Sequence, residues 1–329
     1  MRLYHVLLLV LLSMVYQGSG KFDEIVRGVP RIYGHDGNQF CFAFLTNTPG
    51  NPDPVDFSIY ISTLGNTPVD YIITFDSISN ITGTVEPCEI EEISIDRSLQ
   101  VLAGDVASQR RGIIVKTINE EDRIQVFGFS DTSGTADVFT AIPFRRKQEI
   151  ELYEYAQLSS TVPQNNRLSM FVAVICENNT ILNIASTTER SGDVILGNTF
   201  LPGRPQPVTA GGINTSPLSV YTTVHLESNP YDLTGFRVSS TNPVGFIAGH
   251  ACGQIPVDQG TCDHMIEQIP PSYTWGYYFI SSPLTRRNSG YVIKIIPRYS
   301  GTTVTRHCNG MSEMQVMQDI TFDLSLIHI

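Results

Sequence analysis

Between Cys252 and Pro271 the chain reads CGQIPVDQGTCDHMIEQIPP, its densest run of reactive side chains. Two cysteines ten positions apart are followed by Asp263, His264 and Glu267, and His250 stands two residues ahead of the first cysteine. A closed zinc site would draw on His250, Cys252, Cys262 and His264. Such sites pair their ligands as C-x₂₋₄-C or H-x₃₋₅-H, and neither spacing occurs here. A zinc peptidase needs H-E-x-x-H or H-x-x-E-H. HMIE supplies only H-x-x-E, because Gln268 follows where a second histidine is required. GFSDT at 128–132 lacks the last glycine of a G-x-S-x-G nucleophile elbow. The segment DTSGTAD from Asp131 to Asp137 lacks the regular acidic spacing of a calcium loop. The adjacent acids Glu91/Glu92 and Glu120/Glu121 would point to opposite faces of a strand and read as solvated edges. No catalytic, cofactor or metal-binding set is assigned. The reading left is a Cys252–Cys262 disulfide, closing a loop worth roughly 2–3 kcal/mol. Asp263, His264 and Glu267 would then fix that loop by hydrogen bonding, with His264 and Glu267 the residues most worth testing.

That reading depends on an oxidising compartment. Residues 1–20 combine Arg2, the apolar run VLLLVLLSMV and small residues at Gly18 and Gly20, the layout of a secretory signal peptide. The apolar run is too short to span a bilayer, and no later stretch is apolar enough. The six cysteines, Cys41, Cys88, Cys176, Cys252, Cys262 and Cys308, read as disulfides before they read as metal ligands. The pairing of Cys41, Cys88, Cys176 and Cys308 stays open. N-glycosylation sequons stand at Asn80, Asn178 and Asn214, the last weakened by Pro217. The net charge is −11, and removing the leader takes away only Arg2. Such a surface does not suit nucleic acid, whose phosphates demand clustered basic residues.

The elements that must position these residues are strands. FSIYIS (57–62) and YIITF (71–75) flank a polar segment and predict a hairpin. The same form returns at 168–186 and at 290–308. A second unit, RGIIVKTINEEDRIQVFGFS (111–130), resembles TGFRVSSTNPVGFIAGHA (234–251). Repeats of this length predict an all-β fold of tandem antiparallel β-sandwich-like modules, with a β-propeller-like arrangement as the alternative. The expected modules are 21–148, 149–275 and the start of a third at 276–323, with linkers at 145–149 and 272–279. Trp275 is expected to pack in a core or between modules. The final LSLIHI (324–329) breaks from the upstream pattern. It is also what the core of a common transposase sequencing adapter encodes, and it is expected to be read-through.

The stretch GHACGQIPVDQGTCDHMIEQIPPSYTWGYYF resembles the motif of the IgGFc-binding protein N-terminal domain family. The match falls on Gly249, Cys252, Pro256, Cys262, Asp263, His264, Glu267, Gln268, Pro270, Pro271, Trp275 and Gly276. DLTGFRVSSTNPVGFIAGH (232–250) resembles the family's lead-in, with Phe236 departing from its usual DLTGT. The resemblance extends over most of residues 30–320. It implies an extracellular all-β protein without catalytic residues. The family's namesake acts in mucus and binds the Fc part of IgG. The expected function is that of a secreted, non-enzymatic adhesion, mucus or extracellular-matrix protein, with a glycoprotein, mucin, microbial or matrix partner. A genuine immunoglobulin Fc binder and an extracellular metallo-hydrolase are the alternatives.

Overall fold

The computed structural model describes residues 35–47, 55–75, 80–102, 108–144, 155–158, 169–185, 195–196, 212–228, 233–254, 261–276, 278–280, 291–298, 301–308, 311–316 and 322–327. The expected leader (1–20) and first linker (145–149) lie outside the described residues. The chain is all-β. In one sheet, Ile124–Asp131 is flanked by Asp56–Ser62, itself next to Ile90–Ile95, and on its other side by Asp36–Gly37 and Ala136–Thr140. The facing sheet runs Gln39–Phe42, Ile113–Thr117, Val69–Thr74, Asn80–Val85. Every second residue of Asp56–Ser62 and Ile124–Asp131 is buried, as expected for sheets that cover a core with one face. Phe44 stacks on Phe57 at 4.5 Å, and Phe42 meets Phe139 edge-on at 5.4 Å.

A second sandwich repeats this plan. Val244–Gly253 lies between Ser169–Ile175 and Asp263–Gln268, and Ser169–Ile175 neighbours Thr222–Ser228. Its facing sheet runs Tyr155–Leu158, Arg237–Ser240, Leu182–Ala185, Ile213–Asn214. Phe171 packs against Phe246 at 5.2 Å and against Phe236 at 6.0 Å. Phe236, the departure from the family lead-in, is thus a core residue, only 2% exposed. Two further pairs, Tyr291–Ile295 with Phe322–Ile327 and Thr303–Cys308 with Met311–Val316, repeat the first pairings of the earlier sandwiches. Residues 324–327, expected to be foreign read-through, lie in the strand Phe322–Ile327.

The expected hairpins are corrected. Asp56–Ser62 and Val69–Thr74 belong to opposite sheets, as do Ser169–Ile175 and Leu182–Ala185, and Tyr291–Ile295 does not pair with Thr303–Cys308. The first two repeats are arches that cross a core instead of ribbons within one sheet, and the third likewise places its two strands in different sheets. Alternation reports which face of a strand is buried, and both geometries bury the same face.

The sandwiches are not separate beads. Ser169–Ile175 and Val244–Gly253 are buried at every position. Met170, Val172, Val174 and Ile247 point into the core of the first sandwich, while Phe171, Ala173, Phe246 and Ala248 fill the second. One sheet therefore serves both cores. The Cys41–Cys176 disulfide crosses this seam. A side chain at Gly245 would collide with the Cys41 carbonyl, so only glycine lets the two backbones approach this closely. The Tyr221 hydroxyl donates to Thr74 Oγ1 at 3.1 Å, and the Gly112 amide to the Tyr221 carbonyl at 2.9 Å.

Candidate functional site

The motif occupies the last two strands of the shared sheet. Val244–Gly253 and Asp263–Gln268 run antiparallel, with Ala248 opposite Glu267, Gly249 opposite Ile266 and His250 opposite Met265. Gly249 is required because a Cβ there would strike the Met265 carbonyl. The register then shifts between His250 and Gly253, and Cys252 is bonded to Cys262 just past this irregularity. The Cys252 amide donates to His250 Nδ1 at 3.2 Å, and the His264 amide to Asp263 Oδ1 at 3.0 Å. The middle of the loop, with Pro256 and Gly260, lies outside the described residues.

From this hairpin the polar side chains reach into the seam. Gln268 Nε2 donates to the Cys41 carbonyl at 3.2 Å, and Gln268 Oε1 accepts from the Ile142 amide at 2.9 Å. In the opposite sense, Asp137 of the first sandwich accepts from the Ile266 amide at 2.8 Å and from the Val138 amide at 2.9 Å. Asp137 and Glu267 therefore approach one another across the seam. Burial pushes Asp137 up to about 7, opposed by the two amides it holds and reinforced by Asp263. Burial, then the Asp137 charge, pushes Glu267 up to about 8, against the Gln268 and Thr140 amides. At neutral pH the pair keeps a proton that the same residues would release in water. His264 is buried, and neither ring nitrogen makes a geometrically complete hydrogen bond. Burial lowers its pKa to about 4, so the ring is neutral.

The disulfide consumes both cysteines that zinc would need, since a thiolate and not a bridged sulfur is the ligand. Asp137 spends both oxygens on backbone amides inside the seam, which suits holding two sheets together better than transferring a proton to a substrate. Trp275 is half-buried and donates through Nε1 to the Pro270 carbonyl at 2.9 Å, folding the Pro270–Pro271 segment back; Gly276 beyond it is exposed. Asn80, Asn178 and Asn214 are all exposed. Nothing local in the chain marks Asp137, Cys41 or Ile142 as partners of the motif. Asp137 stood out only as the end of a poor calcium loop, and the turn before it is closed by Thr132, whose hydroxyl accepts from the Thr135 amide at 3.1 Å.

A sequence profile described as IgGFc binding protein matches residues 152–323, more than half of the chain. The matched stretch carries the second sandwich and its half of the seam. The chain belongs to the IgGFc-binding protein family. The human protein named IgGFc-binding protein is 28% identical over 127 residues, which cover 39% of this chain and 2% of that protein. The chain thus spans a small fraction of the length of the curated relative it matches. No solved structure matches it. In this family member Gln268, the Ile266 amide and Glu267 sit in the junction between two sandwiches, while Gly249 and the Cys252–Cys262 bridge shape the hairpin that carries them.

Proposed function

We propose that this member of the IgGFc-binding protein family is a secreted, non-enzymatic binding protein of adhesion, mucus or extracellular matrix. It offers rigid β-sandwich surfaces to an extracellular glycoprotein, mucin, microbial or matrix protein. The observation that carries this reading is the inward use of the motif: its disulfide pins its own hairpin, while its glutamine and the Ile266 amide hold the seam, leaving the outer surfaces for partners. Family membership, the leader-like residues 1–20 and the exposed sequon asparagines support the setting. Among the described residues, no helix is long and apolar enough to cross a membrane.

The test presents the chain, secreted from eukaryotic cells, to immobilised mucin, matrix glycoproteins and IgG Fc. Saturable capture of a glycoprotein is the expected result. Capture of Fc alone would favour the second reading, an immunoglobulin binder, which the name of the human relative motivates. Hydrolysis of a peptide or glycan that disappears in His264→Ala or Glu267→Gln would overturn both.

A further inference from the structure

The two sandwiches differ at one edge. In the second, the outer edge of Thr222–Ser228 is covered by Ile195–Leu196 and by Ser108–Arg110, which reaches over from the first sandwich. Arg110 lies opposite Thr222, Gln109 opposite Thr223 and Ser108 opposite Val224. The Thr223 hydroxyl donates to the Gln109 carbonyl at 3.2 Å, and the Arg110 guanidinium lies 5.7 Å over the Tyr221 ring. The equivalent strand of the first sandwich is Ile90–Ile95, since it neighbours Asp56–Ser62 as Thr222–Ser228 neighbours Ser169–Ile175. Ile90–Ile95 ends its sheet, and among the described residues no strand covers its outer edge. An open edge offers a row of backbone donors and acceptors to an incoming chain.

The surroundings say what would fit. Ile90 is 70% exposed, and Leu64 and Ile118, 76% and 60% exposed, lie at the same end of the sandwich. Ile90 pairs with Ser62, two residues before Leu64, and the Ile118 amide donates to the Asp70 carbonyl near the start of the facing strand. Glu86, Glu89, Glu120 and Glu121 are exposed around them. Glu92 accepts from the Tyr60 and Ser58 hydroxyls at 2.8 and 3.1 Å; Glu89 is exposed beside Ile90, and Glu91 takes the partly buried position on the opposite face of the edge strand. The seam contacts at Thr74, Gly112 and Cys41 lie at the other end of the strands.

We propose that Ile90–Ile95 is a strand-addition site for an extended, arginine-bearing protein segment, seated as Ser108–Arg110 is seated on the second sandwich. Backbone hydrogen bonds would supply the affinity; Ile90, Glu89 and Glu91 would select an apolar and basic side-chain pattern. The site rests on the binding role proposed above and assigns it one surface.

The test titrates a fluorescent peptide of residues 106–113, VASQRRGI, into the secreted chain and follows anisotropy. Saturable binding is expected, weakening at least about tenfold in Glu89→Lys/Glu91→Lys and when both peptide arginines become glutamate. Hydrogen exchange should show new protection at 90–95, with the variant's melting curve unchanged. A chain dimer that dissociates in the same variant would also support the site, with a second copy as its occupant. Absence of saturable binding, indifference to the variant, or protection at 222–224 instead would overturn it. Loss of this binding with glycoprotein capture intact would sink the edge alone and spare the wider function.

Discussion

The side-chain amide of Gln268 donates to the main-chain carbonyl of Cys41 at 3.2 Å, joining residues 227 positions apart in the sequence. The same side chain accepts from the Ile142 amide. One buried residue thus satisfies two backbone groups of a different sandwich, one at a buried contact and one at a partly buried contact.

Gln268→Ala leaves both unpaired. Each buried orphan costs about 1–3 kcal/mol, so a loss of roughly 2–5 kcal/mol is expected. Urea denaturation measures it. A change within experimental error would mean that the seam does not depend on this clamp.

The seam carboxyls give stability a pH dependence of defined sign. Asp137 and Glu267 have folded pKa values of about 7 and about 8, above their ordinary 3.8 and 4.5. A raised acid binds its proton more tightly when folded, so its contribution is present at low pH and lost as pH rises through the folded pKa. His264 runs the other way: its pKa falls from 6.5 to about 4, so its contribution is present above 6.5 and lost as pH falls. Above 6.5 only the carboxyls act, and unfolding free energy should fall between pH 6.5 and 8, by at most about 1.4 kcal/mol per unit and group. Denaturation midpoints across that range check this. Glu267→Gln should flatten the slope, and a wild-type slope of zero would show that the pair holds no extra proton.

The disulfide Cys41–Cys176 closes a span of 135 residues. Replacing both cysteines by serine should cost about 2–5 kcal/mol, mostly by freeing the unfolded chain. Calorimetry should find a lower melting temperature, and separate melting of the two sandwiches would show that the bridge couples them. An unchanged melting curve would contradict this.

Phe236→Thr restores the residue usual in the family lead-in but empties part of the second core beside Phe171 and Phe246. Large-to-small changes of this kind cost about 3–5 kcal/mol. Equal stability of the variant would show that the core closes over the gap.

Much of the fold was legible in the chain. Alternation in FSIYIS and IQVFGFS reported half-buried strands, and the repeat in spacing reported a repeated sandwich. The arches were misread as hairpins because pattern encodes the buried face and not the bonding partner. SMFVAVI and VGFIAGHACG do not alternate, as befits a sheet buried on both faces. The site was legible only on one side. Cys252, Cys262, Glu267 and Gln268 stand close together in sequence, whereas Asp137, Ile142 and Cys41 reach them through long-range packing that leaves no local signature.

The bridge at the seam also decides how the molecule carries load. A pull applied at residue 35 and at the far end of the second sandwich passes from Cys41 straight to Cys176 through the sulfur–sulfur bond. The strands between them, nearly all of the first sandwich, lie off the line of force. In a sheared gel or at a tethered surface, that sandwich would keep its shape, and the faces it displays, under tension that stretches the remainder of the chain.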